Sequence, residues 1–287
     1  MPLAPFPAES EAKHEEGFIH SRDDLRLYWQ RFTPPEPRGT VAVLPGGGDH
    51  SARYPGLTSA LVGAGFTTAL LDFRGHGQSD GRRWHVDAFR EYLDDLDVFM
   101  EHVRAGATGK VFVVAHSQGA LVAATWGTVP GRGVAGFVLS SPYFRLALEP
   151  PRLKVLGARL LGSVVPWLPI ATGLRPEELT RDPELQRWVE ADPLYGKTTS
   201  PRCFFECQRA HGEILRTAGE FRYPLLVLVG TGDPVADPAG GREFLAAAGS
   251  RDKELREYEG FRHELFNELE RERPIGDAVA WIRARAA

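Results

Sequence analysis

Val113-Val114-Ala115-His116-Ser117-Gln118-Gly119-Ala120 reads as a β-strand that turns at once into a helix, with a serine on the corner. β-branched and apolar residues over 111–115 end at that serine, and helix formers run from 120 to 125. So tight a turn forces its central residue into a strained backbone conformation and needs small residues two positions to either side. Ala115 and Gly119 meet that need. The serine hydroxyl then stands at the C-terminal edge of the sheet. The N–H of Gln118, at the helix start, faces the oxygen of an arriving carbonyl.

Outward from this corner the pattern alternates. Segments 18–20 and 25–32 read as an antiparallel pair around Ser21-Arg22-Asp23-Asp24. Strand and helix signals then follow in turn: strand 40–44, helix 54–64, strand 67–72, helix 87–104, strand 111–115, the helix after Ser117 and strand 136–140. Short apolar strands separated by helices predict a mostly parallel central sheet flanked by helices on both faces. The rhythm stops near Tyr143, and the chain is helical and Pro-punctuated to about Ala218, with no clear strand. A buried-strand signal returns over 224–230, then a short strand at 254–258 and a helix at 275–286. The expected organisation is an N-terminal arm (1–16), a core (17–144 and 219–287) and a helical lid inserted between them (145–218). Leu153, Leu156, Leu160, Leu161, Val164, Val165, Trp167 and Leu168 make the lid greasy. They suit packing of a lid helix onto the core and, compatibly with that, an apolar wall for an acyl chain, with Leu156, Leu160, Val164 and Leu168 as candidate wall residues. Arg152, Lys154 and Arg159 beside them suggest transient contact with a lipid interface.

A serine hydroxyl needs a base, and the base needs an orienting acid. Asp233, in Gly230-Thr231-Gly232-Asp233-Pro234-Val235, lies on a loop leaving the C-terminal end of a buried strand. Asp237 precedes Pro238 and a helical run, which fits a helix N-cap. His263 is the only one of the nine histidines downstream of Asp233, and so completes the order Ser…Asp…His. Leu44-Pro45-Gly46-Gly47-Gly48-Asp49-His50 leaves the third strand, and its glycines let the backbone approach a substrate and offer free amides. The same string lacks the Lys-Ser/Thr of a P-loop and the spacing of a dinucleotide fingerprint.

Composition narrows the classes. With 287 residues, 43% hydrophobic and 25% charged, the chain is an ordinary globular one, long enough for a single α/β domain with an insertion. A formal charge of -4 gives no electrostatic case for nucleic acid. No apolar run reaches the length of a membrane span. Segment 1–16 is Pro- and Glu-rich, without the basic start and apolar stretch of a signal peptide, so a loose arm is expected. The two cysteines, Cys203 and Cys207, lie four apart on an expected helix. That spacing suits neither a disulfide nor, with only His211 near, a zinc site; two buried thiols and a cytoplasmic location are expected.

Taken together these segments resemble the monoacylglycerol lipase and lysophospholipase-like branch of the α/β-hydrolases. Pro45-Gly46-Gly47-Gly48-Asp49-His50-Ser51-Ala52-Arg53-Tyr54 is similar to the family's His-Gly-x-Gly-Glu-His-x-x-Arg-Tyr loop. Asp72-Phe73-Arg74-Gly75-His76-Gly77-Gln78-Ser79 resembles its Asp-x-x-Gly-His-Gly-x-Ser segment, and Ala115-His116-Ser117-Gln118-Gly119 its Gly-His-Ser-Met-Gly elbow. The resemblance implies an α/β-hydrolase fold and a carboxylic ester hydrolase acting on acyl esters such as monoacylglycerols or lysophospholipids. It implies Ser117, Asp233 and His263 as catalytic residues, the amides of Gly47 and Gln118 as the oxyanion site, and no metal or organic cofactor. Pro45 and Gln118 depart from the pattern and alter the pocket floor. His76 and His116 are expected to pack behind the elbow, and Asp72 and Arg74 to brace their loop. The same machinery also suits acyl transfer, amide cleavage or cofactor-free peroxidation, and a binding protein could keep the fold without chemistry.

Overall fold

Two antiparallel strands open the chain, β1 (Lys13–His20) and β2 (Arg26–Thr33). β3 (Gly39–Leu44), α1 (Pro55–Gly63), β4 (Phe66–Leu71), α2 (Arg90–Ala105), β5 (Lys110–His116), α3 (Ser117–Gly127) and β6 (Gly136–Ser140) follow. The insertion contains α4 (Arg152–Val164), β7 (Ile170–Ala171), α5 (Pro176–Leu179), α6 (Pro183–Ala191), β8 (Thr198–Thr199) and α7 (Pro201–Thr217). β9 (Leu225–Gly230), α8 (Pro238–Ala247), β10 (Lys253–Tyr258) and α9 (Glu272–Ala286) complete the chain. The structure, a computed structural model, describes residues 6–8, 11–147 and 152–286.

One eight-stranded sheet has the order β1-β2-β4-β3-β5-β6-β9-β10. β2 meets β4 antiparallel, and every pairing from β4 to β10 is parallel. Parallel strands need crossovers, and the helices that supply them cover both faces. α1 and α9 bury Leu57, Leu61, Ile275 and Ile282 against Val41, Val43 and Val114 on one face. α2, α3, α7 and α8 cover the other, where Leu96, Leu121, Ile214 and Phe244 meet Leu44, Val113 and Val227. Alternate residues of β3 thus enter opposite cores, as period-two strands buried on both sides must. β10 is the exception in composition: it is a charged edge strand, a form that discourages pairing with other chains.

Two expectations need adjusting. β1 begins at Lys13, so 13–16 belong to the sheet edge, and Phe6 stacks on Phe32 at 5.0 Å; positions 1–5, 9 and 10 of the expected arm lie outside the described residues. The insertion carries a two-residue antiparallel ladder, Ile170 to Thr199 and Ala171 to Thr198, too short to leave an alternating signature. Residues 148–151 and the side chains of Arg152, Leu153, Lys154 and Leu161 also lie outside the described residues. No described helix is long and apolar enough to cross a membrane.

Candidate active site

β5 ends and α3 begins without an intervening loop, and Ser117 takes the strained conformation with φ of +50°. Gly119 shows why the residue two positions on is small. A β-carbon there would stand 2.2 Å from Pro45 O and 2.7 Å from Leu44 O, backbone atoms at the end of β3. The elbow is therefore pressed against the strand that launches the glycine loop.

His263 Nε2 lies 2.8 Å from Ser117 Oγ, and His263 Nδ1 lies 2.8 Å from Asp233 Oδ2. All three side chains are buried. The other oxygen of Asp233 accepts the N–H groups of Val235 and Ala236, at 2.8 and 3.0 Å. With the Asp233 side chain so fixed, the donor at Nδ1 leaves Nε2 free to accept the serine proton. Burial disfavours the charged imidazole of His263, but the adjacent Asp233 charge and hydrogen bond outweigh it and raise the pKa above the ordinary value. His116, whose ring packs 4.8 Å from that of His263, is pushed well below it by burial. His76 is buried too, and pushed down to about 4. Both are neutral rings, His116 packed against His263 and His76 against Trp84 and Tyr92. Asp237 caps α8 by accepting the Ala239 N–H at 2.9 Å. Asp72 braces its loop through the N–H groups of Ser51 and Gln78, and Arg74 is clamped by Asp95, Asp23 and Glu91.

The glycine loop lies directly on the serine: a β-carbon on Gly46 would stand 3.1 Å from Ser117 Cβ. Gln118 opens α3 behind Ser117, so its N–H is among the first four of the helix, which lack an acceptor within it. Its side chain is held by a residue the sequence did not single out. Trp84, itself at a φ of +42°, donates its indole N–H to Gln118 Oε1 at 2.9 Å. The same indole fills the space a β-carbon on Gly47 would need, 2.4 Å from its nearest ring carbon. Arg53, which the sequence marked only as part of the glycine-loop motif, gains a role from its contacts. Fully buried, it meets Glu264 at 2.7 Å and Asp49 at 2.8 Å, and lies over the rings of Trp188 and Tyr195. Since Glu264 follows His263, this guanidinium ties the His263 loop to the glycine loop and to the insertion. His50 Nε2, 2.8 Å from Asp192 Oδ2, and Gly196 N–H, donating to Gly48 O at 2.7 Å, add two more ties. The motif held Asp49, His50 and Arg53, but no local pattern pointed to their distant partners Glu264, Trp188, Tyr195 and Asp192.

Cys203 and Cys207 are buried and free, with the Cys207 thiol 3.9 Å from Gln118 Oε1. The four apolar wall candidates face outward: Leu156 is 54% exposed, Leu160 64%, Val164 75% and Leu168 37%. They stand exposed on the insertion, where the sequence suggested packing onto the core or an apolar wall for an acyl chain. Periodicity finds a helix's apolar stripe without saying what it faces, and α4 meets α7 through Gly162, where a β-carbon would stand 3.1 Å from Pro201.

The family model described as "Serine aminopeptidase, S33", Hydrolase_4, matches residues 35–270. The chain belongs to the Hydrolase_4 family. Among similar proteins, the human monoglyceride lipase is 32% identical over 240 residues, covering 81% of this chain and 78% of the relative. The monoacylglycerol lipase of Mycolicibacterium smegmatis is 29% identical, covering 90% of this chain and 93% of the relative. The crystal structure of a monoacylglycerol lipase from Paleococcus ferrophilus superposes with a TM-score of 0.80 at 31% identity, covering 90% of this chain and 99% of that one. This Hydrolase_4 member is therefore an α/β-hydrolase, similar to monoacylglycerol lipases, and an enzyme that hydrolyses esters.

Proposed function

We propose that the enzyme is a serine hydrolase of acyl esters such as monoacylglycerols or lysophospholipids, working through an acyl-enzyme. The observation that carries this reading is the Ser117–His263–Asp233 relay, two contacts of 2.8 Å in sequence. Ser117 Oγ attacks the ester carbonyl while His263 Nε2 takes its proton. The carbonyl oxygen becomes an oxyanion facing the amides of Gly47 and Gln118, each donor worth about 3–4 kcal/mol in comparable sites. Asp233 holds the imidazole in the tautomer that can accept and stabilises its charged form. Collapse breaks the ester C–O bond, and His263 protonates the departing alkoxide. Water then adds to the acyl-enzyme, its proton going to His263. Collapse returns that proton to Ser117 and releases the acid.

The mechanism calls on no metal or organic cofactor. Residues 145–218 serve as the lid, and the outward stripe of α4 meets a lipid surface transiently, bringing the acyl chain to the serine. A fluorophosphonate probe combined with p-nitrophenyl ester turnover tests the reading. Labelling at Ser117 and turnover lost in Ser117→Ala are expected. A folded Ser117→Ala variant with full turnover would overturn it, and failure to label the wild type would favour a binding protein on this fold.

A further inference from the structure

Four buried imidazole nitrogens have no hydrogen-bond partner among the described residues: those of His76, His102, His116 and His211. His102 lies tilted against Trp29, 4.4 Å away at the opening strands, His76 packs against Trp84 and Tyr92, and His116 packs against His263. Only His211 belongs to the insertion. It is 6% exposed, and its Nε2 is the orphaned atom.

Its surroundings connect it to the site from two sides. Cys203, Cys207 and His211 recur every four residues, so they share one face of α7. Cys203 meets the Tyr92 hydroxyl at 3.6 Å, Cys207 meets Gln118 Oε1 at 3.9 Å, and His211 comes one turn later. Its ring stands perpendicular to that of Tyr143, with centroids 4.4 Å apart. The Tyr143 backbone N–H in turn donates to Ser117 O at 3.2 Å. His211 thus packs on the residue whose backbone holds Ser117 O, and shares a helix face with the thiol that meets Gln118, the residue proposed to bind the oxyanion.

Burial pushes the His211 imidazole down to about 4, so the ring is neutral near pH 7. A neutral ring nitrogen can donate or accept a single hydrogen bond, and leaving it unpaired in a buried place is costly. A charged substrate group would have to be desolvated against a neutral partner, which disfavours it.

We propose that His211 is a specificity-determining residue of this site, its Nε2 hydrogen-bonding an uncharged hydroxyl carried by the ester substrate. The proposal rests on the reading of Ser117 as nucleophile. The hydroxyl can belong to the acyl chain or to the alcohol, and two substrate pairs distinguish them. One pair is p-nitrophenyl hexanoate and p-nitrophenyl 6-hydroxyhexanoate. The other is propyl hexanoate and 2,3-dihydroxypropyl hexanoate.

In the full-length protein, His211→Leu is expected to lower the ratio of kcat/KM for the hydroxylated ester to that for the plain one by about tenfold or more. The pair in which this happens identifies the source of the hydroxyl. His211→Asn, which keeps a polar amide, is expected to recover part of the ratio. Ratios within twofold of the wild type in both pairs, for a variant that still labels with fluorophosphonate, would overturn the proposal. Should His211→Leu fail to fold, His211→Met supplies an apolar side chain of closer shape, and the same ratios decide. Wild-type turnover of the plain esters tests the serine reading separately: without turnover both readings fall, whereas turnover with unmoved ratios removes only the role of His211.

Discussion

The imidazole of His263 is pulled two ways, down by burial and, with the larger net effect, up by Asp233. Only its neutral form can take a proton from Ser117, so kcat/KM is expected to fall as pH drops through the His263 pKa. Asp233→Asn removes the upward pull and leaves the burial. The acid limb of the kcat/KM profile should therefore move to lower pH, with a rate loss of about 10³–10⁴-fold from the wrong tautomer. The carboxamide oxygen can still accept from Val235 and Ala236, so the loop should survive. An acid limb that stayed in place or moved upward would show that Asp233 does not set the base. Trp84 permits a second test at this scale. Trp84→Phe keeps an aromatic ring beside Gly47 but leaves the buried Oε1 of Gln118 without its indole donor. Losing the shorter of that acceptor's two donors, with the Cys207 thiol at 3.9 Å as the other, costs about 1–2 kcal/mol. If that loss falls on the orientation of Gln118, kcat/KM should drop about 5–30-fold; an unchanged value would make Trp84 mere packing.

Elements meet at the elbow with backbone against backbone, which leaves no flexible atom to yield. Gly119→Ala would drive a methyl into the carbonyls of Leu44 and Pro45, separating α3 from the end of β3. A destabilisation of about 2–3 kcal/mol is expected in denaturant melts, together with loss of turnover as the glycine loop and serine part. Arg53 joins three elements: the glycine loop through Asp49, the His263 loop through Glu264, and the insertion through Trp188 and Tyr195. Burial works against its charge, yet Glu264 and Asp49 outweigh that and keep the guanidinium firmly protonated. Arg53→Leu would strand two buried carboxylates and should cost about 3–5 kcal/mol. A melt unchanged within error would refute the coupling. The two cases differ in legibility. The strand, serine and Gly119 of the elbow are adjacent in sequence, so their physics could be read directly. So could Asp233 and His263, each just beyond a strand, where a parallel sheet gathers its loops. Arg53, Glu264 and Trp84 act across tens or hundreds of residues, and only the fold reveals their partners.

Across the whole molecule, charge and apolar surface are unevenly placed. The chain carries a formal charge of -4, yet positions 150–176 contain Arg152, Lys154, Arg159 and Arg175 and no acidic residue. The same region presents Leu156, Leu160 and Val164 at four-residue spacing along α4, with Trp167, 46% exposed, just beyond. The sequence showed this composition but not its direction, because an apolar stripe serves a core and a surface alike. An exposed apolar row set among cations suits an anionic lipid surface, where side-chain burial and charge attraction add. At 64% and 75% exposure, Leu160 and Val164 would each gain about 1–2 kcal/mol on insertion. In a Ser117→Ala background, which spares the lipid, cosedimentation with phosphatidylcholine–phosphatidylglycerol vesicles should weaken about tenfold or more on Leu160→Glu with Val164→Glu. Added salt should weaken the unsubstituted surface's binding as well, because screening shortens the reach of its cations. Partitioning that ignored both the double substitution and the salt would mean that α4 is not the docking face, and that the acyl chain reaches Ser117 without help from the lipid surface.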